Sequence, residues 1–421
     1  MTTLFFISAI VFLIVGAPIA VTVGLSSVLY ILLNDITPVI VIQRLFTGIN
    51  NVALLAIPFF ILAGELMNTG GIAKRLVRLA NAFIGDRYGS LAIVTVLGCM
   101  FFAAISGSGV ATAAAMGSIM IPEMLKNGYD RDFAASVVAT SSPIGVIIPP
   151  SISFVIYGVL TGTSVTDLYL AGIPAGFIVG LLLILYCYLT SRKRGYRGAV
   201  TKADRKEKMA ALKDALWALG TPLILIGGVF GGIFTPTESA VVAVVYALVV
   251  GLFVYKEMTL QSIVKTFLSS GRMAAKIMFI ISCATAFAYV LSYERIPQKI
   301  VSGIIGLTEN KILILMIVNV LLLIAGTFME TSAILIIMVP LLMPLMAKIG
   351  VNPVHFGIIA TVNTAIGLVT PPFGVCLFTS ASVGKVPVER LSKGVLAPIG
   401  IMLIGLLIIT YIPGSIMFLV K

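Results

Sequence analysis

Apolar runs of about 20 residues follow one another along almost the whole chain, with only short polar links between them. Hydrocarbon offers no partner to a backbone N–H or C=O, so a run of this kind must pair its own backbone and is a helix. A transmembrane β-barrel would instead alternate polar and apolar residues, which this chain does not do. With 59% hydrophobic residues, 10% charged residues and a mean hydropathy of +1.14, no water-soluble fold could hide the apolar surface. The expected class is an all-α polytopic membrane protein. The first run opens at Leu4 with no basic residue before it and no small-residue cleavage site after it, so it reads as a retained span. Cys99, Cys187, Cys283 and Cys376 lie in or beside apolar runs far from one another, which implies neither a disulfide framework nor a metal cluster.

The formal net charge of +12 is unevenly placed. Nine of the 28 Lys and Arg stand between Arg192 and Lys213, in SRKRGYRGAVTKADRKEKMAALKD, the only long polar stretch. The positive-inside bias puts this loop, 191–213, in the cytoplasm. A tract tethered between spans suits a topology signal and contact with membrane lipid headgroups, and no nucleic-acid role is expected.

That loop divides the chain almost in half, and the halves repeat. AISGSGVATAAAMGSIMIPEMLKNGYDRDFAASVVATSSPIGVIIPPSISF (104–154) aligns with IAGTFMETSAILIIMVPLLMPLMAKIGVNPVHFGIIATVNTAIGLVTPPFG (324–374). Pro122 falls on Pro340, Gly128 on Gly350, Gly145 on Gly367, and Pro149–Pro150 on Pro371–Pro372. Each half carries five runs: 4–15, 19–33, 52–68, 130–161 and 169–190, then 214–233, 237–256, 274–291, 353–383 and 395–418. Five crossings is an odd number, so two such halves in series run in opposite directions, an inverted-topology repeat. Repeat 1 covers 1–190, the basic loop 191–213, and repeat 2 covers 214–421. Each half also holds a stretch too long and too interrupted for one span, 89–126 and 311–348, centred on SGSG and GTFMETS and read as re-entrant hairpins. Amphipathic stretches, GGIAKRLVRLANAFIGDR and YERIPQKIVSGIIGLTENK, precede them and are expected in the interface. With the N-terminus outside, every Lys and Arg falls on an inner segment except Arg44, Arg295, Lys299, Lys311, Lys348 and Lys421.

One run in each half is interrupted. ATSSPIGVIIPPSISF (139–154) and NTAIGLVTPPFG (363–374) place Pro and Gly where an unbroken helix would be far more stable in lipid. The carbonyls freed at such a break are tolerated only where protein, water or an ion satisfies them. Oxygen donors suit a hard cation, and the N-termini of half-helices suit an anion, so the two halves together supply two cation sites flanking one anion site. Small residues and Pro kinks also serve plain helix packing. The pairing of a break with a Gly/Ser/Thr-rich hairpin tip at equivalent positions of both halves favours the site.

The motifs AISGSGVATAAAMGSIMIPEM, GYDRDFAASVVATSSPIGVIIPPS, GGIFTPTESAVVAVVYAL and NTAIGLVTPPFGVCLF resemble those of the large membrane (DctM-like, M) subunit of tripartite ATP-independent periplasmic (TRAP) transporters, over essentially the full chain. The resemblance implies a multi-pass protein of the bacterial inner membrane with a periplasmic N-terminus. It implies Na+-coupled symport of an organic acid (a C4-dicarboxylate, sialic acid or related sugar acid) by an elevator motion. A small four-span Q-type subunit and a periplasmic P-type binding protein would be its partners, and two or more Na+ its coupling ions. Carried over by motif, the first Na+ site would use Ser106, Gly145, Ile148 and Pro150, and the second Gly326, Gly367, Thr370 and Pro372 or Phe373. Gly326 has no hydroxyl where the first tip has Ser106, so the two sites need not match. The organic anion would lie near Ser108, Gly109, Ser141, Ser142, Asn363 and Thr364.

No Lys or Arg occurs from Ser90 to Leu125, Asp132 to Ser191, Ile312 to Ala347 or Val351 to Gly384. A bound carboxylate there is therefore compensated by half-helix N-termini, hydroxyls and Na+, and substrate binding should weaken without sodium. Glu330, beside the second tip, is a functional candidate by its depth. His355 reads as a packing residue, Glu238 as a cap following Pro236, and Trp217 as an interfacial anchor. Glu65 and Asp35 carry no message in the sequence. An enzyme is not expected, since one histidine excludes H-E-x-x-H and no G-x-S-x-G is present, and without G-x-x-x-x-G-K-[ST] neither is an ATP-driven pump. The rival reading is a self-sufficient Na+- or H+-coupled anion symporter of the same architecture.

Overall fold

Helices occupy every long apolar run and end where the sequence carries Pro, Gly or a capping side chain. The computed structural model describes residues 2–84, 87–197 and 205–420. Repeat 1 runs α1 (Thr2–Ile14), α2 (Ile19–Leu33), α3 (Val39–Ile49), α4 (Ala56–Thr69), α5 (Ile72–Ile84), α6 (Ser90–Ser106), α7 (Gly109–Lys126), α8 (Arg131–Ser141), α9 (Ile144–Ile147), α10 (Ile152–Thr161) and α11 (Val165–Arg194). Repeat 2 runs α12 (Arg205–Pro222), α13 (Gly228–Phe230), α14 (Pro236–Val249), α15 (Leu260–Tyr293), α16 (Ile296–Leu307), α17 (Lys311–Phe328), α18 (Thr331–Lys348), α19 (Pro353–Gly367), α20 (Val375–Gly384), α21 (Val388–Tyr411) and the short α22 (Gly414–Met417).

Several boundaries differ from the sequence reading. Helix α15 begins at Leu260, well before 274, because Thr259 and Ser262 cap each other's backbone and no Gly-Pro break follows. Its counterpart is split instead: Asn50 and Asn51 interrupt α3 and α4, with the Asn51 side chain accepting from Ala53 N at 2.9 Å. Helices α11 and α12 reach into the basic loop, which leaves only Gly195 to 204 between them, and 198–204 lies outside the described residues. Gly85 and Asp86, at the end of the first amphipathic stretch, also lie outside them.

Helix packing exchanges the halves. Helix α2 packs on α15 as α14 packs on α4, α7 on α20 as α18 on α10, and α21 on α8 as α11 on α19. These reciprocal pairs are what a two-fold relation between the repeats requires. They also divide the chain into a framework of α1–α5 and α12–α16 and a second body of α6–α11 and α17–α21.

Polar contacts sort the helix ends into two groups. Arg75 bonds Asp214 (3.0 Å) and Glu257 (2.7 Å), Arg78 bonds Asp214 (3.3 Å), Arg194 bonds Asp130 (3.4 Å) and Arg390 bonds Asp132 (2.7 Å), all among segments assigned to the basic side. At the other side Glu294 accepts from Tyr30, Arg44 lies 4.6 Å from the centre of the Tyr289 ring, and Lys311 Nζ donates to the Gly350 carbonyl at 3.2 Å. The two hairpins, α6–α7 and α17–α18, therefore enter from opposite sides. Among the described residues nine stretches are long and apolar enough to cross a membrane, and both arms of the second hairpin are among them. An 18-residue arm is about 27 Å long. The second hairpin is nonetheless re-entrant, since its tip packs at mid-length of the broken helix α19–α20 and goes no further.

Candidate functional site

Each break arises because a Pro pair stands four and five residues after a Gly. A helical Gly145 carbonyl would take the N–H of residue 149, and Val146 that of residue 150, but both are Pro and have none. Val146 O is instead satisfied by the Ser151 hydroxyl at 2.6 Å. Among the described residues no backbone N–H reaches the carbonyls of Gly145, Ile148, Pro149 or Pro150. The second break repeats this. Gly367 and Leu368 face Pro371 and Pro372, so Gly367 O takes Thr370 N at 3.0 Å and Leu368 O takes Cys376 N at 2.9 Å, while Pro372 O and Phe373 O receive none.

The hairpin tips are seated on these breaks. At the first tip Gly107 turns the chain at φ +58, a conformation that suits a residue without Cβ, and Ser108 caps α7. A Cβ on Gly107 would come 2.9 Å from Pro150 O, so tip and break share backbone contact. A Cβ on Gly145 would lie 2.7 Å from Thr112 Oγ1 and 3.1 Å from Ser108 O. Ser106 Oγ is 3.0 Å from Thr112 Oγ1, whose hydroxyl donates to Ser108 O at 2.7 Å. At the second tip a Cβ on Gly367 would stand 2.4 Å from Gly326 Cα. Bare backbone thus meets bare backbone, which is why this tip has Gly where the other has Ser106.

The structure brings most of the sequence-predicted residues together and turns some side chains away. Ser106, Ser108, Gly145 and Pro150 converge at the first tip, while Ile148, in extended backbone at the end of α9, packs its side chain against Gly176 of α11. Gly109 faces three elements at once: its Cβ position is 3.1 Å from Cys376 Sγ, 3.3 Å from Leu368 and 3.4 Å from Pro143. Gly326 and Gly367 meet, and the Thr370 hydroxyl donates back to Ile366 O at 2.8 Å, leaving its oxygen lone pairs free. Phe373 packs against Phe328 with the rings tilted by 41° and their centres 5.6 Å apart. Ser141 is buried with its hydroxyl unpartnered, and Ser142 donates to Ala139 O at 3.1 Å. Asn363 is fully buried; its amide N–H groups go to Asn319 Oδ1 and Ile359 O, both at 2.8 Å. Thr364 bonds back along its own helix.

Two residues escaped the sequence reading. Thr112 stands one helical turn after Ser108 in SGSGVAT, and that spacing alone would have returned its hydroxyl to the tip. Cys376 is fully buried where the first tip and both breaks meet, and nothing in its residue type signals this place. Glu330 caps α18, accepting from Ser332 N (3.0 Å) and Ser332 Oγ (3.1 Å), as Ser108 caps α7. His355 is buried, 2.8 Å from Ile409 O, and Glu238 forms a reciprocal capping box with Thr235. All four cysteines are free and buried. A cavity of about 440 Å³ lies between α4, α10, α11 and α14, and none of the predicted ion or substrate residues lines it.

Helix breaks joined to re-entrant tips in a repeated chain are the geometry of a membrane carrier, and the comparisons agree. The model of the DctM component of the tripartite ATP-independent periplasmic transporters matches residues 6–415. The chain belongs to the DctM family. This DctM-family chain is 46% identical over 97% of its length to the isethionate TRAP transporter permease protein DctMQ of Oleidesulfovibrio alaskensis, and spans 64% of that longer protein. It is 41% identical to the C4-dicarboxylate TRAP transporter large permease protein DctM of Vibrio cholerae, covering 97% of this chain and 95% of that one. To the sialic acid large permease SiaM of the same organism it is 37% identical, covering 90% and 89%. The YdaH transporter of Alcanivorax borkumensis shares the fold, with a TM-score of 0.61 at 16% identity over 89% of this chain and 87% of that one. Relatives of this family are permease subunits, not enzymes.

Proposed function

We propose that this chain is the large permease of a Na+-coupled TRAP transporter of the bacterial inner membrane. It takes up an organic acid handed over by a periplasmic binding protein, working with a small four-span subunit. The observation that carries the reading is the seating of each hairpin tip on a break whose Pro pair leaves carbonyls without N–H partners. Ser106 and Thr112 hydroxyls, with the carbonyls of Gly145, Ile148 and Pro150, form an all-oxygen donor set fitted to Na+. At the second site Pro372 and Phe373 supply carbonyls without N–H partners, and Gly367 and Thr370 carbonyls that each accept one N–H and keep a second lone pair, around a tip that has no hydroxyl of its own at Gly326.

Bound Na+ would draw each tip onto its break and supply the positive charge that the surrounding helices lack, which makes anion binding depend on the ion. The body of α6–α11 and α17–α21 would then slide as a unit against the framework, an elevator motion. The basic side, rich in Lys and Arg, faces the cytoplasm and the N-terminus the periplasm. Names of relatives point to C4-dicarboxylates, sialic acid or isethionate as candidate substrates. Proteoliposomes holding the chain, its small subunit and its binding protein should accumulate the organic acid only with an inward Na+ gradient. Equal uptake from potassium-only buffer would overturn the coupling.

A further inference from the structure

Between the framework and the first tip lies a narrow cleft of about 50 Å³ whose walls include Glu65 and Asn68 of α4, Ser106, Ser108 and Ala111 of the tip, and Met273 of α15. It is where the proposed ion and substrate residues meet the framework. Glu65 is half-buried and its carboxylate is fixed from behind: Oε1 accepts from Ser269 Oγ at 3.1 Å and Oε2 from Ser270 Oγ at 3.0 Å. Glu65 forms no ion pair among the described residues. Across the cleft stands the first turn of α7, whose N-terminal dipole favours negative charge.

Resting on the transport reading above, we infer that Glu65 is the framework's specificity-determining residue and that it reads a hydrogen-bond donor on the substrate. A molecule bridging the cleft puts its anionic group at the tip and its other end against a carboxylate acceptor. A hydroxyl or N–H there donates to Glu65. A second carboxylate there meets the Glu65 charge directly, on the wall away from the proposed sodium, and is disfavoured. The chemical class is thus a small organic monoanion bearing a hydroxyl or amide donor, such as a hydroxysulfonate or short hydroxy acid, and not an unsubstituted dicarboxylate.

The test uses the complex of the chain with its small subunit in nanodiscs in sodium buffer, with Ala111→Cys as a maleimide-reactive reporter at an exposed position of the cleft. Isethionate should protect the thiol at concentrations about tenfold below those of succinate. In a Glu65→Gln background, which keeps an acceptor oxygen and removes the charge, succinate should improve and the gap close. Glu65→Ala should lose isethionate protection. Protection by succinate equal to or better than isethionate, or a ratio unchanged by Glu65→Gln, overturns the role of Glu65 while leaving an organic-anion carrier standing. Protection by neither in sodium overturns the role of Glu65, while uptake by proteoliposomes that also hold the binding protein decides the carrier reading separately.

Discussion

At the residue scale, the two tips solve one packing problem in different ways. Ser106 can present a hydroxyl because Thr112 and Ser108 make room for it, whereas Gly326 touches the backbone of Gly367. Gly326→Ser is therefore expected to damage the second site, despite copying the first: its Cβ would lie 2.9 Å from Gly367 Cα. Gly367→Ala, at 2.4 Å, should destabilise the protein by about 1–3 kcal/mol and lower sodium affinity, measured by thermal unfolding in detergent against a sodium titration. Thr112→Val keeps the volume and removes the hydroxyl that joins Ser106 to Ser108. Sodium half-saturation for uptake should rise about tenfold, with expression and folding retained. An unchanged sodium curve would remove Thr112 from the ion site.

Among elements, the breaks and the clamped amphipathic helix carry the argument. Pro149→Ala supplies the N–H that Gly145 O lacks, so a further hydrogen bond can close part of the break. The variant should fold, gain stability by roughly 1 kcal/mol and transport poorly, because the carbonyl proposed to face the ion would then be occupied. Helix α5 is held to the second-repeat half of the framework by Arg75, which stacks on Tyr255 at 3.6 Å while bonding Asp214 and Glu257. Burial works to lower the pKa of Arg75, but the two acids outweigh it and raise it. Removing the guanidinium in Arg75→Ala leaves both acids without it and should cost about 1–2 kcal/mol, read as a lower unfolding temperature in detergent. A stronger defect in transport than in stability is the expected pattern, since α5 leads directly into the first hairpin.

For the molecule as a whole, the proposed sliding would take place at the boundary between the framework and the hairpin-bearing body. Asn68 on α4 and Ala111 on the first tip line one cleft from opposite sides of that boundary. Linking Asn68→Cys to Ala111→Cys with a short bifunctional reagent should arrest uptake reversibly. A similar link within the framework, between α4 and α14, should leave uptake intact. Unimpaired transport by the first cross-linked protein would mean that the two bodies do not slide.

Much of this molecule was legible in its residues because lipid leaves the backbone few choices. Apolar runs had to be helices, an odd number of crossings had to invert the second half, and a Pro pair after Gly had to free carbonyls. The equivalence of Gly145 with Gly367 and of Pro149–Pro150 with Pro371–Pro372 needed only alignment of the chain with itself. Side-chain direction was not legible: Asn363 donates to Asn319 on a neighbouring helix, Glu330 is used as a cap, and Cys376 occupies the crossing of tip and breaks. Nor did Glu65 say anything until α15 placed Ser269 and Ser270 behind it and the first tip opposite it. Local rules such as hydrogen-bond pairing and helix period act within a few residues of the chain. What a side chain faces depends on elements brought from hundreds of residues away, and only the packed tertiary structure decides that.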